Sequence, residues 1–488
     1  MIRLASLPAA LPDPSAWKVL EALDIAGVTA DSRQVAPGDL FVAVPGTRVD
    51  GRHFIPDAVA RGAVAILAPR GTVWPRDVPA RPLILDDEPR LSLARIAAIF
   101  AGPQPAQITA VTGTNGKTST VEFLRQLSLL AGLRAASLGT LGLIAPGFDP
   151  GPGLTTPDPV SLAESLAGLA RAGVTRVAME ASSHGLDQFR LDGVSLAAGA
   201  FTNLTRDHLD YHGTIAAYRQ AKLRLFDTLL PPGAPVVTQA GIDAETLDAL
   251  RAIAVRRGLD LHLVGAGGDL FDLVSAIPRP DGQVLTIRDG SGRREIDLPL
   301  PGRFQADNVL LAAGLAAMLG DADPLALLPR LSGVRGRMER AAVLDNGSAV
   351  YVDYAHTPDA LERLLSALRP HTDGRLLVVF GAGGDRDRGK RPLMGQAAAA
   401  LADIAIVTDN NPRSEDPATI RAAIRAACPD AIEIGDRARA IAAALDMLRP
   451  GDVLAVAGKG HEQGQTIGDT VLPFDDVSVV RALVAGAS

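Results

Sequence analysis

The segment Ile108-Thr-Ala-Val-Thr-Gly-Thr-Asn-Gly-Lys-Thr-Ser-Thr120 carries the most explicit chemistry in the chain. A β-branched run ends at Gly113, and a helix is expected from Thr118. Gly113 and Gly116 let the backbone approach an anion with no Cβ in the way. The N–H groups around Thr114 and Asn115 then point at that anion, together with the positive end of the helix dipole. Lys117 adds a point charge for outer phosphates, and Thr118 brings the hydroxyl that such loops give to Mg²⁺. Val111 stands where the longer pattern asks for another glycine, so this is a shortened phosphate loop. A plain glycine turn with a surface lysine is the alternative; a strand before and a helix after favour phosphate.

Further groups lie near expected strand ends. Val177-Ala-Met-Glu-Ala-Ser-Ser-His-Gly185 puts Glu180 where a carboxylate faces the ligand side of a sheet. Thr205-Arg-Asp-His-Leu-Asp-Tyr-His-Gly213 crowds two histidines and two aspartates into a short loop. Taken alone, such a cluster is more often a capped polar loop. Glu180 and His208 beside a phosphate loop shift the reading toward Mg²⁺, which takes few protein ligands plus phosphate and water. Lys222 has the spacing of an exposed cation beside an apolar stripe. Three later turns carry acid, aromatic, imidazole and guanidinium groups: Tyr351-Val-Asp-Tyr-Ala-His-Thr-Pro358, Gly381-Ala-Gly-Gly-Asp-Arg-Asp-Arg-Gly389 and Asp409-Asn-Asn-Pro-Arg-Ser-Glu415. The planar arginine fork suits carboxylate or phosphate.

The elements that must hold these groups divide the chain into three expected domains, 1–102, 103–332 and 333–488, all α/β. The first is small and mixed, with segments Leu40–Val44 and Val64–Leu67, and Pro103-Gln-Pro105 punctuates the boundary that follows it. The second is a phosphate-loop domain with a mainly parallel sheet: strands Ile108–Thr112 and Arg176–Met179 alternate with helices, one of them Val309–Leu319 beginning just after Asn308. The third, with strands Ala349–Val352, Leu376–Phe380, Ile404–Thr408 and Val453–Ala457, reads as doubly wound and Rossmann-like.

At 488 residues, 47% hydrophobic and 21% charged, the composition is globular. A net charge of −7 argues against coating nucleic acid. The single cysteine, Cys428, excludes an intrachain disulfide and fits a reducing compartment. Met1–Leu20, broken by Pro8, Pro12 and Pro14, lacks the apolar core of a secretion signal, and no run is long enough to span a bilayer. A soluble cytoplasmic protein is expected, and a monomer.

In order and spacing the chain resembles the Mur ligase family over nearly its whole length. The resemblance rests on Asp31-Ser-Arg33, Pro37-Gly-Asp-Leu-Phe-Val42, the phosphate loop, Leu154-Thr-Thr-Pro157, Met179–Gly185, Asn203–Gly213, Gly336-Arg-Met-Glu339, Asp353–Pro358, Asn411-Pro-Arg413 and Gly458-Lys-Gly-His-Glu462. It implies a uridine-nucleotide domain, an ATPase domain and an amino-acid domain, in that order. It also implies a ligase that uses ATP and Mg²⁺ to phosphorylate the D-glutamyl carboxylate of UDP-N-acetylmuramoyl-L-alanyl-D-glutamate. The amine of meso-2,6-diaminopimelate then attacks this acyl phosphate. By motif position Gly113, Thr114, Asn115, Gly116, Lys117 and Thr118 would hold ATP, with Asn308, Arg337 and Asp353. Lys117, Glu180, His208 and Lys222 would form the catalytic set. Mg²⁺ would take Thr118, Glu180, His208 and a carbamylated Lys222. Ser32, Thr155, Thr156, Ser182, Gln188 and Arg190 would contact the sugar peptide. Arg386, Asn410, Asn411, Pro412, Arg413, Gly458 and Glu462 would contact diaminopimelate.

Two positions depart from the family pattern: Asn410 replaces the usual Asp, with Asp409 beside it as a possible substitute carboxylate, and Gln305 replaces an Asn. A lysine-adding ligase of the same family would share most motifs, but Arg413 argues against it. Folylpolyglutamate synthetase lacks the Asp31-Ser-Arg33 domain. A catalytically inactive precursor-binding protein would be expected to have lost Lys117, Glu180 or His208, and all three are present.

Overall fold

The computed structural model describes residues 2–3, 23–46, 49–149, 151, 154–279 and 281–486; apart from Ile2 and Arg3, the N-terminal stretch Met1–Leu20 lies outside them. The chain forms two compact units, Met1–Leu263 with Leu311–Ala322, and Val264–Leu310 with Asp323–Ser488. Among the described residues no helix is long and apolar enough to cross a membrane.

The first unit opens with a parallel sheet of strands β1 (Val28–Thr29), β2 (Leu40–Val42), β3 (Ala65–Pro69) and β4 (Leu83–Asp86), paired in chain order. Helices α1 (Ile55–Ala60) and α2 (Pro89–Ala101) cover it. The phosphate-loop region follows: β5 (Gln107–Thr112), α3 (Lys117–Leu130), β6 (Ala135–Gly139), β7 (Gly142–Ile144), α4 (Pro159–Arg171), β8 (Arg176–Glu180), α5 (Ser183–Asp187), β9 (Leu196–Phe201), α6 (Leu209–His212), α7 (Ile215–Arg224), β10 (Pro235–Gln239) and α8 (Ala244–Arg257). Within this unit the strand order is β10-β9-β5-β8-β6-β7, parallel except for β6–β7. Helices on both faces bury the sheet, so β5 and β8 read as near-continuous apolar runs rather than alternating ones. Register aligns the strand ends: Glu180 lies opposite Val111, and Phe201 opposite Thr112. The carboxyl ends of the parallel strands therefore open on one edge, where α3 starts.

The second unit holds an antiparallel ribbon, β11 (Phe271–Arg279), β12 (Gly282–Asp289) and β13 (Gly292–Leu298), that the simple alternation of strands and helices did not predict. Helix α9 runs Arg303–Met318, so it begins at Arg303 and contains Asn308 rather than starting after it. The sequence offers the reason: Pro301 and Gly302, the latter at φ 87°, end the preceding turn, and no breaker lies between Arg303 and Asn308. A doubly wound sheet follows with order β14-β15-β19-β16-β17-β18. Its strands are Glu339–Val343 (β14), Ala349–Asp353 (β15), Leu376–Phe380 (β16), Ile404–Val407 (β17), Ile432–Glu433 (β18) and Val453–Ala457 (β19), and only β14–β15 is antiparallel. Tyr351, Val378 and Ala455 pack on one face and Val350, Val379 and Leu454 on the other. His371 ties the ribbon to this sheet: its Nε2 accepts from Gly302 N–H at 2.9 Å, so its Nδ1 donates to the Arg279 carbonyl at 2.7 Å.

A fully buried ion pair braces the same sheet. Arg437 Nε and Nη2 each donate to Asp476 at 2.7 Å, and Nη2 also reaches the Ala457 carbonyl at 3.0 Å, at the end of β19. Removing one partner strands the other charge, which costs about 3–5 kcal/mol, whereas an apolar pair of similar volume is often neutral. Arg437→Met is therefore expected to lower unfolding free energy by about that amount, and Arg437→Met/Asp476→Leu to recover most of the loss. Urea titration checks both; equal instability of single and double variants would contradict the ion-pair account.

Candidate active site

In the first unit the loop after β5 has the geometry its glycines require. Gly113 sits at φ 138° and Gly116 at φ 85°, and a Cβ on Gly113 would lie 1.9 Å from Thr202 Oγ1. The end of β9 holds the loop from behind. Asn115 N–H donates to Asn203 Oδ1 at 3.0 Å, Asn203 Nδ2 donates to the Asn115 carbonyl at 3.1 Å, and Thr202 Oγ1 donates to that carbonyl at 2.6 Å. Lys117 folds back over the loop, its Nζ 3.1 Å from the Gly113 carbonyl and 2.9 Å from that of Thr114.

Glu180 ends β8 with its side chain buried, and its Oε1 accepts from Thr118 Oγ1 at 3.0 Å and Thr140 N–H at 2.8 Å. The space is tight: a Cβ on Gly139 would stand 2.3 Å from Glu180 Oε1. The Glu180 carbonyl extends the site outward. It accepts from Thr156 Oγ1 at 3.0 Å, and that oxygen accepts in turn from Ser182 N–H, also at 3.0 Å. Arg190 Nη1 donates to the Thr156 carbonyl at 2.7 Å and Nη2 to Gln188 Oε1 at 2.8 Å, while Thr155 Oγ1 lies 3.1 Å from Thr140 Oγ1. Five of the six residues expected to contact the sugar peptide thus share one network with Glu180. Ser32 is outside it, buried in the Ser32–Gln34 turn that follows β1. Thr140 completes the site without standing out in sequence, and Asn203 opens the motif Asn203–Gly213 with no role assigned to it there; the signal for both is position, just past strand ends.

Lys222 is a correction. It is not exposed but 1% accessible, because α7 turns Tyr218, Ala221, Lys222 and Leu223 inward. Its Nζ donates to the Gly113 carbonyl at 2.6 Å, the same oxygen that Lys117 reaches, and lies 4.4 Å from the centre of the Tyr218 ring. Burial, then repulsion from Lys117, holds its ammonium well below the usual lysine range. His208 is exposed at φ 51° and meets rings: His184 at 4.9 Å and Tyr218 at 6.2 Å. Among the described residues no hydrogen bond or ion pair joins Glu180 to His208 or Lys222, and no three His, Cys, Asp or Glu side chains gather as a metal cluster. The hard oxygens of Thr118 and Glu180 fit Mg²⁺.

In the second unit, register sets Asp353 opposite Ala457 and Phe380 opposite Val407, so the loops after β15, β19, β16 and β17 share one edge. Asp353 accepts from Met338 N–H at 2.7 Å and Ala355 N–H at 2.8 Å; burial pushes its carboxyl up against the pull of Arg337 and these bonds. The Arg337 guanidinium lies 4.7 Å from the Tyr354 ring centre, and Gln305 Nε2 reaches the Arg337 carbonyl at 3.3 Å while Gln305 Oε1 accepts from Asn308 Nδ2 at 3.2 Å. Arg413 takes φ 52°, and its Nη1 donates to the Gly384 carbonyl at 2.8 Å. Pro412 is buried behind it, and exposed Arg386 flanks the same glycine turn. Asn411 Nδ2 donates to Glu462 Oε2 at 2.9 Å; Asn410 Nδ2 donates to the Gly458 carbonyl at 3.1 Å. Asp409 is no substitute carboxylate, since it pairs with Arg421 at 2.5 Å. Glu415 was missed: it accepts from Asp385 N–H at 2.7 Å and Arg391 at 2.8 Å, clamping the Arg386 loop to the Arg413 turn.

Two expectations follow. Gly139→Ala should displace the Glu180 carboxylate and cut ATP turnover by ~10²-fold with the fold retained, since misplacement by about 1 Å carries that penalty; unchanged turnover by coupled ADP assay would rule out the geometry. His461, whose imidazole burial and then Arg337 push down to about 4, carries a pH signature. Between pH 6.5 and 4 the unfolded chain binds more protons at this site than the folded one, so stability falls as pH drops through that window. His461→Gln should flatten this loss by up to about 3 kcal/mol, read as the difference in urea midpoint between pH 7 and pH 4.

Comparison with known proteins agrees with this geometry. Residues 24–114 match the Mur ligase family catalytic domain, 111–316 the Mur ligase middle domain and 336–460 the Mur ligase glutamate ligase domain. The chain is 55% identical over 472 residues to the UDP-N-acetylmuramoyl-L-alanyl-D-glutamate–2,6-diaminopimelate ligase of Caulobacter vibrioides, covering 95% of this chain and 96% of that one. The enzyme of the same name from Mesorhizobium japonicum is 53% identical over 464 residues, 94% and 95% of the two chains. A solved structure bearing that name superposes with a TM-score of 0.70 at 33% identity, covering 95% of both chains. The phosphate loop, the Glu180 network and the arginine-lined edge of the second sheet lie within the matched segments, and the chain belongs to the Mur ligase family.

Proposed function

We propose that the chain is an ATP-dependent amide ligase that adds meso-2,6-diaminopimelate to UDP-N-acetylmuramoyl-L-alanyl-D-glutamate in peptidoglycan precursor synthesis. The observation that carries the choice of amino acid is Arg413. The Gly384 carbonyl fixes its guanidinium, and a buried Pro412 fixes its turn. Diaminopimelate differs from lysine by a distal carboxylate, which a preset fork accepts bidentately; lysine leaves the fork with nothing to pair. Glu462, held by Asn411, supplies the opposite charge for an ammonium group.

In this reading Gly113 to Thr118 bind ATP, and the sugar peptide lies along Thr155, Thr156, Ser182, Gln188 and Arg190, with Ser32 toward its uridine end. Residues 1–102, 103–332 and 333–488 would serve as the sugar-nucleotide, ATP and amino-acid domains. Thr118 and Glu180 would hold Mg²⁺, which would offset phosphate charge at the loop. Lys117 does the same with its own charge, and the loop N–H groups orient the transferred phosphoryl. The convergence of Lys117 and Lys222 on one carbonyl supports carbamylation of Lys222, which replaces a repelled cation by a metal-binding carboxylate.

The test is ADP release by purified protein with the UDP-sugar dipeptide and either diaminopimelate or lysine. Diaminopimelate should be preferred by about 10²-fold or more in kcat/KM. Arg413→Ala should lose most activity toward diaminopimelate with the KM for ATP little changed. Comparable kcat/KM for the two amino acids in the wild-type enzyme would refute the assignment.

A further inference from the structure

We propose that Lys459 is a positioning residue for the amino-acid substrate, one that aims Asn411 and Glu462 without touching the substrate itself; the inference rests on the ligase reading above. The lysine side chain is 0% exposed although its loop opens on the ligand edge just after β19. It donates to three acceptors: Asn411 Oδ1 at 3.2 Å, Glu462 Oε2 at 3.3 Å and the Gly464 carbonyl. These come from the Asn-Pro-Arg turn, from its own loop, and from the start of the Gly464–Ile467 strand.

The triangle is closed. Asn411 Oδ1 also accepts from Thr466 N–H at 3.0 Å, so two donors fix which end of the amide is oxygen. Nδ2 must then face Glu462, and it does, at 2.9 Å from Oε2. Both donors to Glu462 thus use Oε2, which turns Oε1 toward the remaining side. Burying an ammonium is costly unless every proton is matched, and here three protons meet three oxygens. If the position only filled space, a Met would fit without that cost. What the cation adds is the fixed orientation of two side chains that are expected to meet the substrate.

Lys459→Met keeps the length and removes the donor; Lys459→Gln restores one donor. Activity of the wild-type enzyme with diaminopimelate is measured first, since its absence would overturn the ligase reading itself rather than this inference. With that in hand, Lys459→Met should raise the KM for diaminopimelate by about 10–100-fold, the usual scale for a group supporting a ligand-contacting residue. The KM values for ATP and the sugar peptide should stay within about 2-fold, kcat within about 3-fold, and Lys459→Gln should fall between Lys459→Met and wild type. If Lys459 acts through Glu462, Lys459→Met/Glu462→Gln should be no worse than Glu462→Gln alone. Independent, multiplying effects would overturn the proposal, as would an equal rise in all three KM values. Failure of both lysine variants to fold with nucleotide bound would also overturn it, by making Lys459 a folding residue only.

Discussion

Parallel register is the constraint on which the rest of this structure depends. In each sheet, pairing that sets Glu180 against Val111, or Asp353 against Ala457, brings the carboxyl ends of the parallel strands to one edge. The chemistry sits one or two residues beyond: Gly113 and Asn203 in one sheet, Gly381 and Gly458 in the other. Both faces of β15, β16 and β19 are packed, so a one-residue slip would exchange the two cores and move each loop by a strand residue. Packing far from any ligand therefore fixes where the site residues stand.

Charges buried along those edges follow a second rule, that each must be matched in place. Arg437 has Asp476, Lys459 has three oxygens, and Asp353 has two N–H groups and a nearby guanidinium. Lys222 is the least well matched, with one carbonyl shared with another ammonium and one aromatic face. Burial beside a second ammonium therefore disfavours its charged form.

Much of this was legible in the sequence because it depends on local pattern. Strand runs such as Leu376–Phe380, the glycines of the phosphate loop and the order of the motifs all survive in the structure. What was hidden depends on neighbours distant in the chain. Lys222 looked solvent-facing because a cation beside an apolar stripe is usually outside, and only the packing of α7 on the Gly113 loop turns it inward. Asp409 looked available until Arg421, on the following helix, claimed it. The ribbon Phe271–Leu298 was lost in a stretch read as alternating strand and helix. The Lys459 triangle joins three segments whose separation in sequence conceals it.

Asn410 shows how a departure from a family motif can be explained by the atoms around it. Where an Asp is usual, this chain carries an amide whose Nδ2 donates to the Gly458 carbonyl, and Gly458 N–H in turn donates to the Asp353 carbonyl. An ionised carboxylate at 410 would set oxygen against that carbonyl in a buried place, with no proton to share. The amide instead ties the Asn-Pro-Arg turn to the loop after β19, leaving its Oδ1 buried and unpartnered among the described residues. Such an acceptor normally costs about 1–3 kcal/mol, which the fold carries at this position. The substitution thus keeps the turn and the loop together while trading a fixed negative charge for a neutral amide.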